Sequence, residues 1–408
     1  MTIMQELPLV RGKYRENADL AKMCWFATGG VAEVLYIPAD IDDLVYFLHN
    51  KPPKIPLFVL GVGSNLLIRD GGINGVVIRL GREFNYVKIS DNKVKAGAAT
   101  LDLFVAEAAS NSCISGLEFL SGIPGTIGGA LAMNAGAYGS DIANSLESAV
   151  AVSMTGEKII LKTKDFGYTY RSNALTEKYI FVEATFSGSL ANRDDIQKKM
   201  HYIKEQRNLT QPIKSRTGGS TFKNPPNSNY KAWQLIDLAG CRGLAIGGAS
   251  VSQLHCNFLL NDGNATADDL EKLMTEVQKR VLAKFGIMLE KEIIIAGNPV
   301  TQQSENRSMQ SAALSNQSQD LSEQNRKRLL YQSTHRGCKE MDIILGDFAS
   351  KNLDRLPNDL LDGYNEILQL NDALIYDLVI EKLSCDATLS LSKKAQRVLQ
   401  MLISNYKI

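Results

Sequence analysis

An uncharged run of small residues constrains this chain most: Ser121-Gly122-Ile123-Pro124-Gly125-Thr126-Ile127-Gly128-Gly129-Ala130, continuing through Met133-Asn134-Ala135-Gly136-Ala137-Tyr138-Gly139. Glycine permits positive φ and lacks the Cβ that keeps neighbouring atoms away, so such a backbone can touch whatever lies beside it. Two explanations are open. In one, a turn entering a helix near Thr126 aims peptide N–H groups and the positive helix end at phosphate, forming a pyrophosphate cradle. In the other, the small residues only let two packed elements cross closely.

A second run bears on the choice. Pro56 to Leu60 reads as a buried strand and leads directly into Gly61-Val62-Gly63-Ser64-Asn65-Leu66-Leu67, where Ser64 and Asn65 add side-chain donors. The offsets are not those of the Rossmann fingerprint, since no third glycine and no helical pattern follow Gly63. Thr28-Gly29-Gly30 adds a third small-residue turn. Three such turns beside strands in the first third of the chain favour a large dinucleotide over packing alone.

At 408 residues the chain is expected to form two or three domains. Lys and Arg number 45 against 44 Asp and Glu, so the net charge of +1 gives no global attraction to nucleic acid or membrane, and an anionic ligand must be held locally. The six cysteines and four histidines are too scattered for disulfides or a metal cluster. A reducing compartment suits them. With no signal-like start in Met-Thr-Ile-Met-Gln-Glu-Leu-Pro and no bilayer-length apolar window, the expectation is a soluble cytoplasmic protein.

Val31 to Pro38 reads as a strand and Ile41 to Asn50 as an amphipathic helix, giving a β-α-β opening with the strand at 56–60. Strands are expected at Val76–Leu80 and Val94–Ala96, and a helix at Leu101–Asn111 capped by Thr100. Ser148–Ser153 and Lys158–Lys162 flank the hairpin signal Met154-Thr155-Gly156-Glu157, and Ile180–Phe186 is another strand. Helices follow at Arg193–Leu209 and Trp233–Ala239. Asp268–Phe285 carries the strongest helical pattern: an apolar stripe, Thr266 and Asp269 as a capping box, and Gly286 as the stop. A terminal strand is expected at Glu292–Ile295. Residues 298–324 are rich in Gln, Ser and Asn without periodicity and read as a linker, after which helical periodicity returns.

Hydride chemistry on a flavin requires groups that position the ring and supply charge and protons to the acceptor. Arg171, after two tyrosines in Phe166-Gly167-Tyr168-Thr169-Tyr170-Arg171-Ser172, can hold a carboxylate or stabilise an enolate, or be a solvated loop arginine. Ser220, in Gly219-Ser220-Thr221-Phe222-Lys223-Asn224-Pro225, can donate a proton only to a strongly basic carbanion or enolate; the alternative is a turn serine. Glu292 either faces a ligand or ends a strand in water.

Taken together, these stretches with Met133–Gly139, Tyr170-Arg171-Ser172, His255-Cys256-Asn257-Phe258 and Glu292-Ile293 resemble the UDP-N-acetylenolpyruvoylglucosamine reductase family of bacterial cell-wall synthesis. The resemblance covers the first 297 residues. It implies an α+β chain: a vanillyl-alcohol-oxidase-type FAD-binding region of two subdomains at 1–190, then a smaller α+β substrate domain at 191–297. The implied cofactor is noncovalent FAD, the donor NADPH, and the substrate UDP-N-acetylglucosamine enolpyruvate, reduced to UDP-N-acetylmuramate in peptidoglycan synthesis. Cofactor contacts then fall to Gly61, Gly63, Ser64, Asn65 and Leu66, to Gly122, Pro124, Gly125, Thr126, Gly128 and Gly129, and to Asn134, Ala135 and Gly136. The resemblance makes Arg171 and Glu292 stabilisers of the enolic carboxylate and Ser220 the proton donor, with Tyr170, Arg207, Lys223 and Asn224 on the substrate. The short segment after Arg171 is similar to the subgroup lacking a tyrosine loop. The chain departs from the family at Cys24-Trp25-Phe26-Ala27-Thr28 and at Leu254, where a lysine is usual, which touches substrate contacts rather than the reaction.

The tail resembles a different family. Arg326-Lys327-Arg328-Leu329-Leu330-Tyr331, Arg336-Gly337-Cys338-Lys339-Glu340, Met341-Asp342 and Tyr376-Asp377 are similar to SdhE, a small helical factor that promotes covalent attachment of FAD to the succinate dehydrogenase flavoprotein. The resemblance implies a small all-α domain at 325–408 that meets that flavoprotein through Arg336, Gly337 and Glu340. Two other functions remain open: an FAD-dependent oxidase of a small alcohol or lactone, or an assembly factor whose catalytic half is silent.

Overall fold

In a computed structural model of the chain, the apolar stretches of the β-α-β opening form a four-stranded sheet ordered Lys13–Asp19, Val31–Ile37, Ile73–Ile78, Leu57–Val59. The first pair is antiparallel and the others parallel. The structure describes residues 3–226, 228–300, 325–336, 339–354, 356–379 and 391–405, and divides into two units, Met1–Thr301 and Gln302–Ile408. Most of the expected linker, from 301 to 324, lies outside the described residues.

Helix Ile41–Asn50 covers the first sheet because its stripe of Leu44, Phe47 and Leu48 is buried there, with the Phe47 ring 4.4 Å from that of Tyr36. Each such side chain contributes about 1.5–3 kcal/mol. Asp40 caps the helix. The buried Asp43 carboxylate accepts the N–H groups of Arg11, Gly12 and Ala39 and the Tyr36 hydroxyl, tying the N-terminal segment to the sheet.

The second sheet has five antiparallel strands ordered Lys158–Lys162, Leu146–Ser153, Tyr179–Ser187, Lys93–Gly97, Val87–Ser90. Val105, Ala106, Ile127, Leu131, Phe166 and Phe186 fill its core, which includes helices Asp102–Asn111 and Ile127–Met133. The expected cap at Thr100 is not made. Leu101 occupies the N-cap position without a side-chain cap, and the Thr100 hydroxyl bonds both the N–H and the C=O of Tyr86 at 3.0 Å. Thr100 is buried, so its hydroxyl serves the peptide groups packed against it rather than the helix end.

The C-terminal part of the first unit carries helices Arg193–Thr210, Ala232–Leu238 and Ala267–Phe285 and a three-stranded antiparallel sheet, Ala245–Ile246, Ala249–Val251 and Leu259–Asn261. Thr266 and Asp269 form the expected capping box, and Gly286 stops the helix at φ +67°. Leu270, Met274 and Val277 share one hydrophobic core with Leu20, Phe26, Ile68 and Val77 of the opening region.

Polar links reinforce this union. The Asp70 carboxylate accepts the N–H groups of Ala267 and Asp268, and Arg69 pairs with Glu271 through two hydrogen bonds. The last strand, Ile294–Ala296, runs parallel to Leu66–Ile68. It begins two residues later than expected because the Glu292 N–H is given to Thr221 O at 2.8 Å, outside that ladder. The C-terminal end of the first unit is thereby stitched to the strand that follows Gly61–Asn65.

The second unit is helical. A helix over 325–334 is followed by Lys339–Asn352, Asn358–Leu368, Asp372–Val379 and Lys393–Asn405, with Leu345, Phe348, Tyr364, Val398 and Leu402 in their core. Among the described residues, no helix is long and apolar enough to cross a membrane, and no three His, Cys, Asp or Glu side chains are grouped as metal ligands.

Candidate active site

The two glycine runs meet. A Cβ on Gly61 would lie 2.9 Å from Thr126 Oγ1, so the loop after the buried strand is pressed against the loop entering helix Ile127–Met133. Close packing accounts for some of these glycines and not for others. Gly63, at φ +68°, admits the Met23 carbonyl and Cys24 Cα within 2.6 Å of a Cβ position; Gly125 admits Asp102 Oδ2 at 2.7 Å; Gly128 admits Ala98 at 3.2 Å. These allow close packing. Gly129 faces only Thr126 Oγ1 at 3.7 Å, Gly139 faces nothing within 4 Å, and Gly219 faces only Ser64 O at 4.0 Å. Side chains at these open positions would intrude on the space beside the loops, so the residues present suit a large flat or anionic group.

One expectation is corrected. The helix end near Thr126 does not aim its first amides outward: Ile127 N–H donates to Thr100 O at 3.0 Å and Gly128 N–H to Ala98 O at 2.9 Å. A seven-residue helix with its leading donors turned into the protein contributes little field to an anion beside it.

Arg171 lies at the far end of the run. It sits at φ +56°, and its Nε donates to Glu292 Oε1 at 2.8 Å while Nη2 donates to Gly136 O at 2.6 Å. The side chains of this pair are 19 % and 12 % exposed. Its Cζ is 5.1 Å from the centre of the half-exposed Tyr170 ring. Two asparagines hold the loop. Asn134, left-handed at φ +47°, gives Nδ2 to Thr169 O and Asp141 Oδ2 and accepts Ala143 N–H at Oδ1, so its side chain serves the protein. Asn173 bonds Leu131 O and Ala132 O. The adjacent Ala135 is buried.

Glu292 is fixed by its own backbone as well. Its carbonyl accepts Asn65 Nδ2 at 3.1 Å, and Ile294 N–H donates to Asn65 O. Burial lifts its carboxyl above the usual glutamate range, against the opposing pull of Arg171 and Lys223. The Ser220 loop lies alongside: Thr221 O accepts Glu292 N–H, and Lys223 N–H donates to Glu290 O. Lys223 Nζ is 2.6 Å from Glu290, and Asn224 Oδ1 caps helix Ala232–Leu238 through Ala232 N–H. The structure thus gathers Asn65, Gly136, Arg171, Lys223, Glu292 and the Ser220 loop into one cluster.

Arg207 is on helix Arg193–Thr210, beside Tyr138. Burial pulls its pKa down, and its Nε lies 3.4 Å from Gln211 Oε1. Gly122 is beneath the same corner, where a Cβ would strike Ile203 and the Tyr138 ring at 3.0 Å. Pro124 completes the turn between Gly122 and Gly125, and Leu66 is in the strand paired with Ile294–Ala296.

In the second unit the Arg336 guanidinium is turned inward. Nε and Nη2 bond Asp372, Nη1 donates to Leu368 O and Nη2 to Leu370 O, and the side chain is 14 % exposed. Gly337 lies outside the described residues, as do the side chains of Glu340, Tyr376 and Asp377.

Sequence reasoning assigns no part to Asn173, and none to Asn257 beyond its place in the His255–Phe258 motif. Both are side-chain amides bonded to backbone tens of residues away, and the one local signal is an amide set between apolar residues in Cys256-Asn257-Phe258.

Comparison with known proteins identifies three regions. A family described as "FAD binding domain" matches residues 32–162, "UDP-N-acetylenolpyruvoylglucosamine reductase, C-terminal domain" matches 211–296, and "Flavinator of succinate dehydrogenase" matches 327–404. The UDP-N-acetylenolpyruvoylglucosamine reductase of Parvibaculum lavamentivorans is 52 % identical over 291 residues, 71 % of this chain and 93 % of that protein. The one from Anaplasma marginale is 51 % identical over 295 residues, 72 % of this chain and 97 % of that protein. The crystal structure of the Thermus caldophilus reductase superimposes with a TM-score of 0.61 at 31 % identity, covering 71 % of this chain and all of that one.

Proposed function

The chain belongs to the UDP-N-acetylenolpyruvoylglucosamine reductase family, and from that premise we propose that it reduces UDP-N-acetylglucosamine enolpyruvate to UDP-N-acetylmuramate for peptidoglycan synthesis. It is an FAD-dependent oxidoreductase with NADPH as reductant. The observation that carries the assignment of roles is the Arg171–Glu292 pair set beside the Ser220 loop where the two glycine runs meet.

FAD, when bound, supplies hydride transfer between NADPH and the methylene carbon of the enol ether. Gly61, Gly63, Ser64, Asn65, Leu66, Gly122, Pro124, Gly125, Thr126, Gly128, Gly129, Asn134, Ala135 and Gly136 form its seat, mostly through backbone. Arg171 offers its fork to the substrate carboxylate; a hydrogen bond to a charged group contributes about 1.5–3 kcal/mol. Glu292, with its raised carboxyl, can carry a proton at a pH where an exposed glutamate cannot, and so donate to the developing enolic carboxylate instead of repelling it. Ser220 gives its proton to the neighbouring carbon, which at that stage is basic enough to accept from an alcohol. Tyr170, Lys223 and Asn224 line the substrate side, and the half-buried Arg207 holds the UDP end.

We assign residues 1–190 to the FAD-binding region, 191–297 to the substrate domain, 298–324 to a linker and 325–408 to a helical domain that assists flavinylation of the succinate dehydrogenase flavoprotein. The match at 327–404 supports this last reading. Here Arg336 organises the helices and leaves Gly337 and Glu340 to meet the partner. The free thiols of Cys24, Cys113, Cys241 and Cys256 suit the cytoplasm.

The acid assignment is tested with Ser220→Ala. Flavin reduction by NADPH is expected at the wild-type rate, while product formation falls about 10²- to 10⁴-fold. Product formation at the wild-type rate overturns the assignment.

A further inference from the structure

Delivering a proton from a serine depends on where its hydroxyl is held, and a displacement of about 1 Å can cost on the order of 10²-fold in rate. Ser220 lies in a segment of irregular backbone, after Gly219 at φ +81°. Asn257 grips that segment. Phe222 N–H donates to Asn257 Oδ1 at 3.0 Å, Asn257 Nδ2 donates back to Phe222 O at 2.8 Å, and Thr221 N–H donates to Asn257 O at 2.8 Å. The side-chain amide thus closes a two-bond ring on Phe222, and the Asn257 backbone carbonyl adds a third bond to the residue directly after the acid. Asn257 is 5 % exposed and Phe222 1 %, so water does not compete for these bonds. The next residue, Phe258, makes an antiparallel bridge with Ser220 itself.

The grip is braced from both sides. Asn257 N–H donates to His255 Nδ1 at 3.2 Å, which fixes that ring as the tautomer carrying its hydrogen on Nε2. Opposite, Thr221 O accepts Glu292 N–H, so the held segment also sets the distance from Ser220 to the Arg171–Glu292 pair.

We propose that Asn257 is a positioning residue for proton delivery: its reciprocal hydrogen bonds with Phe222 hold the Ser220 hydroxyl where the substrate carbon receives its proton. The inference rests on the reading of Ser220 as the acid. Alanine at this position leaves the Phe222 N–H and C=O unpaired in a buried site. Aspartate keeps the acceptor for Phe222 N–H but sets a carboxylate oxygen against Phe222 O.

The test uses the full chain loaded with FAD in four forms: wild type, Asn257→Ala, Ser220→Ala and the double variant. Flavin reduction by NADPH and substrate reduction by the reduced enzyme are measured separately, along with hydrogen exchange at the Thr221 and Phe222 amides. In Asn257→Ala, substrate reduction is expected to slow about 10²-fold with flavin reduction unchanged, and the Phe222 amide, which loses its acceptor, exchanges faster than the Thr221 amide, whose backbone acceptor remains. In the Ser220→Ala background, adding Asn257→Ala changes substrate reduction by less than about twofold, because residues acting as a unit are not additive. Three results overturn the inference: normal substrate reduction in Asn257→Ala, a loss that multiplies with that of Ser220→Ala, or equal losses in both half-reactions. Should Asn257→Ala not fold, Asn257→Asp, similar in volume, is read by the same comparisons. An unaffected Ser220→Ala defeats the acid assignment itself; a slowed Ser220→Ala beside a normal Asn257→Ala defeats only the clamp.

Discussion

Replacing Gly63 by alanine separates close packing from cofactor binding. Two costs add. At φ +68° a non-glycine residue bears about 1–2 kcal/mol. The new methyl also meets the Met23 carbonyl at 2.5 Å and Cys24 Cα at 2.6 Å. These are backbone atoms in a turn held by Met23 N–H to Leu20 O, Ala27 N–H to Cys24 O and Trp25 N–H to Gly63 O, so they cannot swing aside as a side chain does. Overpacking of this kind costs about 1–3 kcal/mol, giving a total of roughly 2–5 kcal/mol out of the ~5–15 kcal/mol that stabilises a typical fold. Because Ser64 and Asn65 follow directly, the strain should reach the proposed FAD seat, where every ~1.4 kcal/mol expressed weakens FAD tenfold. Gly286→Ala is the control: it has nearly the same positive φ, at +67°, but nothing within 4 Å of the Cβ position and a place at the end of helix Ala267–Phe285 outside the glycine runs, so it bears the backbone cost alone. Flavin per chain after gel filtration, and Tm with and without excess FAD, are the measurements. Gly63→Ala should lose most of its flavin and melt well below Gly286→Ala. If the two variants match in both respects, the close contact at Gly63 is not what shapes that seat.

Arg171→Met removes one of the two cations opposing the effect of burial on Glu292, so substrate reduction should fall about 10- to 100-fold while flavin reduction by NADPH persists in stopped-flow traces. The folded state of that variant holds the Glu292 proton more tightly than the unfolded chain does. Its stability should therefore drop, relative to wild type, as pH rises from the usual glutamate range through the folded pKa, which urea titrations across that range will show. Asp43 has the opposite sign: burial disfavours its charge, but the N–H donors of Ala39, Arg11 and Gly12 and the Tyr36 hydroxyl prevail and hold its carboxyl below the ordinary aspartate value. Asp43→Asn should cost about 1–3 kcal/mol at neutral pH and flatten the loss of stability seen as pH falls through the folded pKa. Arg336→Met breaks a largely buried pair with Asp372 and should destabilise the helical unit by about 3–5 kcal/mol; limited proteolysis should cut residues 325–405 faster, with no change in the reductase rate.

What the sequence reveals depends on how local the cause is. Helix Ala267–Phe285 is legible from end to end because its stripe, its capping box at Thr266 and Asp269 and its stop at Gly286 all lie within the element. The same holds for Ile41–Asn50 and the hairpin at 154–157. Thr100 misleads because its hydroxyl is drawn to Tyr86, fourteen residues away, and no local rule contains that contact. In the site, glycine runs and turn residues mark where backbone is exposed or tightly approached. They do not tell the open Gly129 from the packed Gly128 beside it, since that difference is made by Ala98 on another element. The contact between Arg171 and Glu292 spans 121 positions, and Asn257 reaches back 35 to Phe222. Motif resemblance points to Arg171, Ser220 and Glu292 together, but only the fold shows that Asn134, Asn173 and Asn257 spend their amides holding the loops around them.

Anaerobic absorbance spectroscopy of the purified full chain tests the central claim most directly, by following the bound flavin through two additions. NADPH should bleach the oxidised flavin band, and UDP-N-acetylglucosamine enolpyruvate should then restore it with one equivalent of UDP-N-acetylmuramate formed per flavin. A chain that carries no flavin, or a reduced flavin that the enolpyruvyl nucleotide leaves bleached, contradicts it.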